Sequence, residues 1–329
     1  MPAAILRNGK RFDVDAGVTI LNAALGQGIA LEYSCRTGRC GVCKALVTDG
    51  DTAAIRPETG LSADDLAQGK ILTCCRTAVA DTMLDIVDLG RLADQRARTL
   101  PARISEIRLL SPTIIRVRLR FAPGQRLDYL PGQYLDVIAR GVRRSYSIAN
   151  APREDATIDL DIRRFEGGVL STYWFDEAQV NDLVRVEGPL GTFFLRDEPP
   201  ETVLFLATGT GIAPVRAMLE EIAAEPDILG GADVRIYWGN RTPEDFYWSP
   251  EHAAGAFHSI VSRPVEGWSG RRGHVQHAVL EDGVDLSSAV VYACGSQNMI
   301  GAAERLFLQN GLSAHSFHFD AFVSSSTTE

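Results

Sequence analysis

The chain has 329 residues, enough for two or three domains, each with its own core. Hydrophobic residues make up 45% and charged residues 23%, which excludes a disordered or fibrous chain. The net charge of −9 falls on residues 199–329, where 7 basic residues face 16 acidic ones. No basic footprint for nucleic acid is present.

The longest apolar runs, Val203–Ala207 and Ala289–Cys294, are too short to span a membrane, and the N-terminus lacks the features of a signal peptide. A cytoplasmic protein with no membrane partner is expected. Arginine outnumbers lysine, which occurs only at Lys10, Lys44 and Lys70. A lone arginine is therefore weak grounds for a phosphate site.

In chain order, Phe12, Val14, Val18 and Ile20 read as short strand material. Thr19–Gly26 reads as a helix with Ile20, Leu21, Ala24 and Leu25 on one face. Lys44–Thr48 is a candidate strand, Ser62–Ala67 a short helix capped by Ser62, and Thr82–Val87 a further strand. Residues 1–92 thus form a small α+β domain.

Five of the six cysteines lie within it: Cys35, Cys40, Cys43, Cys74 and Cys75. A disulfide framework is not expected in a cytoplasmic chain of this length. The spacing Cys35-x4-Cys40-x2-Cys43, followed by Leu-Thr-Cys74, is that of a plant-type [2Fe–2S] centre. Three thiolates must converge on one side of a rhomb, so Gly38 and Gly41 let the loop turn and aim N–H groups at sulfur. Cys35, Cys40 and Cys43 are expected ligands, and of the adjacent pair Cys74 is favoured as the fourth, with Cys75 facing away; Cys75 is the alternative fourth ligand. The competing reading is structural zinc. Zinc sites usually pair two C-x(2–4)-C knuckles, and adjacent cysteines suit that poorly.

Asp88–Thr99 is charged and aperiodic, and a linker is placed at 93–100. Residues 101–198 then alternate apolar and polar positions in Ile114–Arg120, Tyr134–Ile138, Ile158–Ile162 and Leu183–Val186, separated by Gly/Pro turns. Short strands at this spacing predict an antiparallel β-barrel. Arg143-Arg144-Ser145-Tyr146-Ser147 follows one of these strands. On a strand, Arg144 and Tyr146 share one face while Ser145 and Ser147 share the other. A dinucleotide needs a cation for its pyrophosphate, an aromatic plate for its ring and a small hydroxyl near the reactive nitrogen. Gly168, Val169, Leu170 and Ser171 open a candidate helix whose N–H groups would meet phosphate. Together the two segments predict flavin binding.

From residue 199 strands alternate with helices: Val203–Ala207, the helix Pro214–Ala224, Val234–Trp238 and Val290–Ala293. This predicts a parallel, doubly wound sheet over 199–329. Gly209-Thr210-Gly211 links a strand to a helix opened by Pro214, a dinucleotide turn lacking the third glycine of the Rossmann fingerprint. Two later strand ends carry Gly239 with Arg241, and Cys294 with Gly295. Ligands of open α/β sheets sit at such ends. Arg241 is either an adenosine contact or a solvated loop residue. Cys294 is either a site residue or a small buried hydrophobe.

This order of cysteine cluster, R-x-Y-S barrel, G-T-G-I-A-P domain and Tyr-Ala-Cys-Gly strand end resembles the ferredoxin–NAD(P)H reductase superfamily, in its iron–sulfur flavoprotein branch. The branch includes reductases of aromatic-ring dioxygenases, phenol hydroxylases and soluble methane monooxygenase. Within it, Glu-Tyr-Ser-Cys at 32–35, Arg-Arg-Ser-Tyr-Ser-Ile-Ala-Asn-Ala-Pro at 143–152, Gly-Thr-Phe-Phe at 191–194 and Asp-Ala-Phe at 320–322 are most similar to members that serve a CDP-deoxysugar 3-dehydrase. The resemblance implies a ferredoxin β-grasp domain, an FAD-binding barrel and an NAD-binding domain. Arg144 would bind the FAD pyrophosphate, Tyr146 would pack on the flavin and Ser147 would bond near its N5. Cys294 would lie near the nicotinamide C4, and Phe322 would cover the flavin with Asp320 as its polar companion.

Two departures are visible. Thirty residues separate Cys43 from Cys74, one more than usual, and seven follow Phe322. The implied activity is NADH-dependent reduction of a partner enzyme through FAD and the cluster, the partner being a deoxysugar 3-dehydrase or an oxygenase component. The resemblance implies NADH rather than NADPH; no dense basic cluster for a 2′-phosphate follows Gly239, while Arg241 keeps NADPH open. A non-catalytic redox sensor with the same cofactors, or a zinc-bearing binding protein, are the readings from other classes.

Overall fold

The computed structural model describes residues 1–92, 95–197, 199–250 and 255–323. Residues 93 and 94 of the expected linker lie outside them. The described chain divides into two compact units: Met1–Gln95 with Phe322 and Val323, and Arg96–Ala321.

The first unit runs β1 (Ala3–Leu6), β2 (Arg11–Asp13), α1 (Ile20–Gly26), β3 (Lys44–Asp49), β4 (Thr52–Ala54), α2 (Ala63–Ala67), β5 (Lys70–Leu72), β6 (Arg76–Ala78) and β7 (Thr82–Leu84). Its five-stranded sheet has the order β2-β1-β7-β3-β5, with β1 and β7 parallel and β4 paired with β6 apart from it. This is a β-grasp sheet. The Thr19 hydroxyl accepts from the Asn22 N–H at 3.2 Å, so Thr19 caps α1. Ile20 therefore opens a helix and Val18 precedes its cap, neither lying in a strand as expected; a satisfied N-cap prevails over β-branched propensity. Ile20, Leu21 and Ala24 are buried with Leu6, Phe12, Leu72 and Leu84 in the core. Ser62 caps α2 through a reciprocal bond with Asp65. The last strand stops at Leu84, short of the expected Val87.

The second unit begins with β8 (Arg98–Ser111), β9 (Ile114–Arg120), β10 (Tyr134–Ala139), β11 (Val142–Ser147), β12 (Ile158–Arg163), α3 (Val169–Thr172) and β13 (Leu183–Leu190). All pair antiparallel in the order β11-β10-β13-β8-β9-β12. A bridge from Ile148 to Leu160 joins the two outer strands and closes the barrel. β8 starts inside the stretch read as linker. Its pattern hides it, since in fourteen residues only Ala102, Ile104 and Ser111 are buried. Between β9 and β12, Arg116 stands opposite Asp161 and Arg118 opposite Asp159, so cross-strand charge pairing fixes their register.

The chain continues with β14 (Thr202–Thr208), α4 (Ile212–Ala224), β15 (Asp233–Asn240), β16 (Ala256–Val261), β17 (Arg271–Arg272), α5 (Val275–Glu281), β18 (Ala289–Ser296), α6 (Gln297–Gln309) and β19 (Phe317–Phe322). The sheet order is β17-β16-β15-β14-β18-β19, with β14 to β18 parallel. Val203, Phe205, Trp238, Tyr292 and Cys294 form one core with Val215, Met218 and Ile222 of α4, while α5 packs on β14 and β15. The order of strands reverses at β14, which makes its C-terminal end the switch point of a doubly wound sheet.

Barrel and sheet are tied together within this unit. Asp159 of β12 accepts from Arg118 at 2.7 Å and Arg153 at 3.1 Å, and lies 3.6 Å from Arg216 of α4. Glu220 of α4 binds Arg216 at 3.0 Å and the Ala151 N–H at 3.0 Å.

Candidate functional site

The four expected ligand cysteines are gathered by one loop and one distant segment. Gly38 and Gly41 have φ of +76° and +82°, backbone that L-residues rarely adopt. The loop so formed aims the Thr37 and Cys40 N–H groups at the Cys35 sulfur, both at 3.4 Å. Cys35 shares a side-chain hydrogen bond with Cys40, and Cys43 with Cys74. In each pair one thiol is pulled down and the other pushed up: the bond from Cys40 lowers Cys35 and that from Cys43 lowers Cys74, while Cys40 and Cys43 rise. Four cysteines this close cannot all ionise without positive charge among them. Among the described residues no three His, Cys, Asp or Glu side chains gather tightly enough for a single ion. Two sulfur pairs with N–H donors aimed at sulfur fit a dinuclear iron–sulfur rhomb. Cys75 differs from expectation. It does not face away, its sulfur lying 3.5 Å from that of Cys74.

On the barrel, β11 presents the R-x-Y-S residues as its pleat requires. Ser145 donates to Asp136 at 2.6 Å. Tyr146, on the other face, accepts at its hydroxyl from the Trp174 indole at 3.0 Å and meets that ring edge-on at 6.2 Å. Burial raises the Tyr146 phenol to about 12, so it stays neutral. The arginines now separate. Arg143 binds Asp136 and Glu187, Arg116 binds Asp161, Arg118 binds Asp159 and Arg164 binds Asp176. Half-buried Arg144 has only the Arg143 carbonyl as a partner among the described residues, at 2.7 Å. An uncompensated guanidinium is what a pyrophosphate requires. Ser147 is half-buried, and among the described residues its hydroxyl has no partner.

Gly168 is the N-cap residue of α3, leaving that helix's first N–H groups unbonded by any side chain. Val169 is exposed. Leu170 faces the barrel core, and the Ser171 hydroxyl accepts from the Phe165 N–H at 2.7 Å. Only the backbone of Leu170 is therefore free to meet a ligand, and Ser171 shapes the turn.

The three glycine-bearing strand ends come together. Thr208 pairs with Gly239, and Ala207 with both Trp238 and Cys294. A Cβ on Gly211 would collide with the Cys294 carbonyl, and one on Gly295 with the Thr208 hydroxyl. Gly211 and Gly295 thus let the turn after β14 nest against the end of β18, a packing reason absent from the sequence reading. A Cβ on Gly239 would press on Val275 of α5 at 2.9 Å. Gly209, at φ +56°, lies beside Arg163 of the barrel, and its carbonyl accepts from Trp238 at 2.9 Å. Gly211→Ala is expected to push β14 and β18 apart, weakening nicotinamide-nucleotide affinity while leaving flavin content intact; equilibrium binding of NAD⁺ to the two proteins checks this.

Pro214 is buried in the first turn of α4, and Arg241 is exposed. Cys294 is fully buried; burial and the neighbouring Asp320 carboxylate push its thiol up. Asp320 is itself 5% exposed and Phe322, at the end of β19, 42%. Sequence reasoning missed a cleft after β15 lined by Pro243, Phe246, Tyr247, Trp248, Phe257 and Trp268. These aromatics come from separate segments, so no local pattern announces them. It also missed Arg163 and Asp159, whose roles rest on partners far along the chain.

Comparison with known proteins completes the picture. Residues 4–79 match the 2Fe-2S iron-sulfur cluster binding domain, 101–195 the oxidoreductase FAD-binding domain, and 205–305 the oxidoreductase NAD-binding domain. The chain is 41% identical over 324 residues to the CDP-6-deoxy-L-threo-D-glycero-4-hexulose-3-dehydrase reductase of Yersinia pestis, covering 97% of each chain. It is 29% identical to the terephthalate 1,2-dioxygenase reductase component 1 of a Comamonas species, covering 96% of this chain and 95% of the other. Among solved structures, the Amycolatopsis cytochrome P450 reductase GcoB superposes with a TM-score of 0.75 at 29% identity, covering 99% of this chain and all of that one. No helix among the described residues is long and apolar enough to cross a membrane. With cluster-, FAD- and NAD-binding domains in the order of these relatives, the chain belongs to the iron–sulfur flavoprotein branch of the ferredoxin–NAD(P)H reductases.

Proposed function

We propose that this protein is an NADH-dependent reductase that supplies electrons to a CDP-deoxysugar 3-dehydrase in the cytoplasm. The observation that carries the partner is the 41% identity over 97% of both chains to a reductase of that name, against 29% to a dioxygenase reductase. When bound, FAD would supply a two-electron hydride acceptor for NADH and the [2Fe–2S] cluster a one-electron outlet.

The chain's own residues divide the work. Arg144 supplies the cation for the FAD pyrophosphate, assisted by the backbone N–H groups of Val169 and Leu170, which open α3 after Gly168. Tyr146, its hydroxyl pinned by Trp174, offers a ring held in one orientation, and Ser147 offers a hydroxyl without a competing partner. The Gly209–Gly211 turn and the Gly239 and Gly295 strand ends form the nicotinamide-nucleotide crevice. Arg241 lies at its outer end, and the aromatic cleft beyond β15 suits a flat base. Cys294 and Asp320 are the thiol and carboxylate assigned to the nicotinamide end, and Phe322 the ring cover. Cys35, Cys40, Cys43 and Cys74 hold the cluster.

The deciding experiment mixes the NADH-reduced holoprotein anaerobically with a CDP-deoxysugar 3-dehydrase and its substrate, and separately with a terminal dioxygenase component. Cluster reoxidation by the dehydrase alone is expected. Reoxidation by the oxygenase alone would transfer the protein to that partner. Multiple turnovers to an artificial acceptor exclude a non-catalytic sensor.

A further inference from the structure

We propose that Cys75 is a positioning residue for the iron–sulfur centre, its thiol donating a hydrogen bond to the Cys74 sulfur while its bulk sets the loop at Gly38. The inference rests on the ligand set given above. Cys75 is fully buried, with its sulfur 3.5 Å from that of Cys74 and 3.4 Å from the Pro57 carbonyl oxygen. A Cβ on Gly38 would collide with that same carbonyl and come within 2.6 Å of the Cys75 sulfur. One sulfur atom therefore touches the ligand loop, the Pro57 segment and the fourth ligand. Its backbone is anchored as well. The Cys75 N–H donates to Leu72, and its carbonyl accepts from Ile55 at 2.9 Å and Arg56 at 3.2 Å.

A thiol has one proton to give. Here two acceptors compete for it, the Pro57 carbonyl and the Cys74 sulfur. A ligating Cys74 is a thiolate, and charge-assisted hydrogen bonds are the stronger kind, so between these two buried side chains the proton turns to sulfur. Hydrogen bonds to cluster sulfurs help set the reduction potential. This one stabilises the more negative, reduced state.

The test uses the holoprotein and its Cys75→Ala, Cys75→Ser and Cys74→Ser variants. Iron content and the electron paramagnetic resonance of the reduced centre report ligation, and a redox titration reports the potential. Both Cys75 variants are expected to keep full iron. Cys75→Ala should lower the equilibrium constant for cluster reduction about 3- to 10-fold, the worth of one hydrogen bond, and Cys75→Ser, which keeps a donor, should restore it. Full iron with an unchanged potential in Cys75→Ala would overturn the proposal and leave the ligand set standing. Failure of Cys75→Ser to restore a lowered potential would also overturn it. Loss of iron from Cys75→Ser with retention in Cys74→Ser would overturn both the proposal and the ligand set.

Discussion

Cys40→Ser is expected to yield a flavoprotein that still oxidises NADH yet no longer feeds one-electron acceptors. Cys40 is buried between Cys35 and Cys43, and its N–H also supports the Cys35 sulfur. Losing its thiolate would remove one of the four terminal ligands that hold the irons. Residues that merely orient metal ligands are worth about 10–100-fold, so loss of a ligand should exceed that in the steady-state reduction of a cytochrome acceptor. Flavin reduction by NADH should hold near the parent rate, because Arg144, Tyr146 and the Gly209–Gly211 turn belong to the other unit. Stopped-flow absorbance separates the two steps. Normal acceptor turnover in the variant would remove Cys40 from the ligand set.

The second large effect is on stability. Asp159→Ala is expected to cost about 3–5 kcal/mol, the range for removing one partner of a buried charge pair. The Asp159 carboxylate has no exposed surface, and its removal takes away the acceptor shared by Arg118 and Arg153 and the carboxylate nearest Arg216 on the barrel, leaving them Glu106 and Glu220. Arg216 already has one buried nitrogen without a hydrogen-bond partner, so the loss leaves this buried guanidinium with Glu220 as its remaining carboxylate. Burial pushes the Asp159 carboxyl up, but Arg118, Arg153 and Arg116 outweigh it, and the net shift is downward from 3.8. A lowered native pKa means the stabilisation is complete above the unfolded value and is lost as pH falls through the native one. The deficit of Asp159→Ala should therefore stay constant from neutral pH down to about 4 and shrink only below that. Denaturant midpoints of parent and variant across this range check both size and sign. A deficit that narrows above pH 5 would contradict the depressed carboxyl.

Much of this architecture is legible in the sequence where local rules decide it. The cysteine spacing needs only a loop and a glycine at 38. α1 and α2 are announced by Thr19 and Ser62, and the continuous apolar run Val203–Ala207 marks a strand covered on both faces. The unread parts depend on distant partners. β8 is half-exposed and polar, and becomes a strand because β9 and β13 flank it. The R-x-Y-S pattern singles out Arg144, but that its guanidinium is left uncompensated shows only when Asp136 and Glu187 are seen to claim Arg143. Gly211 reads as a phosphate-facing glycine, whereas its immediate constraint is the Cys294 carbonyl some eighty residues on. Cys75 is silent in a sequence that gives no side-chain direction for adjacent cysteines in a turn.

The shared register of β14, β15 and β18 constrains how this chain can change. Side chains alternate along a strand, so Tyr292 and Cys294 turn toward α4 while Val291 and Ala293 turn toward the opposite helices. One residue gained or lost within β18 would rotate the thiol to the wrong side of the sheet and leave a backbone carbonyl facing a different glycine. Loops before and after can lengthen freely, but inside that strand only insertions of even length keep the Cys294 thiol on the α4 side. The face that this end of the sheet presents is governed by parity.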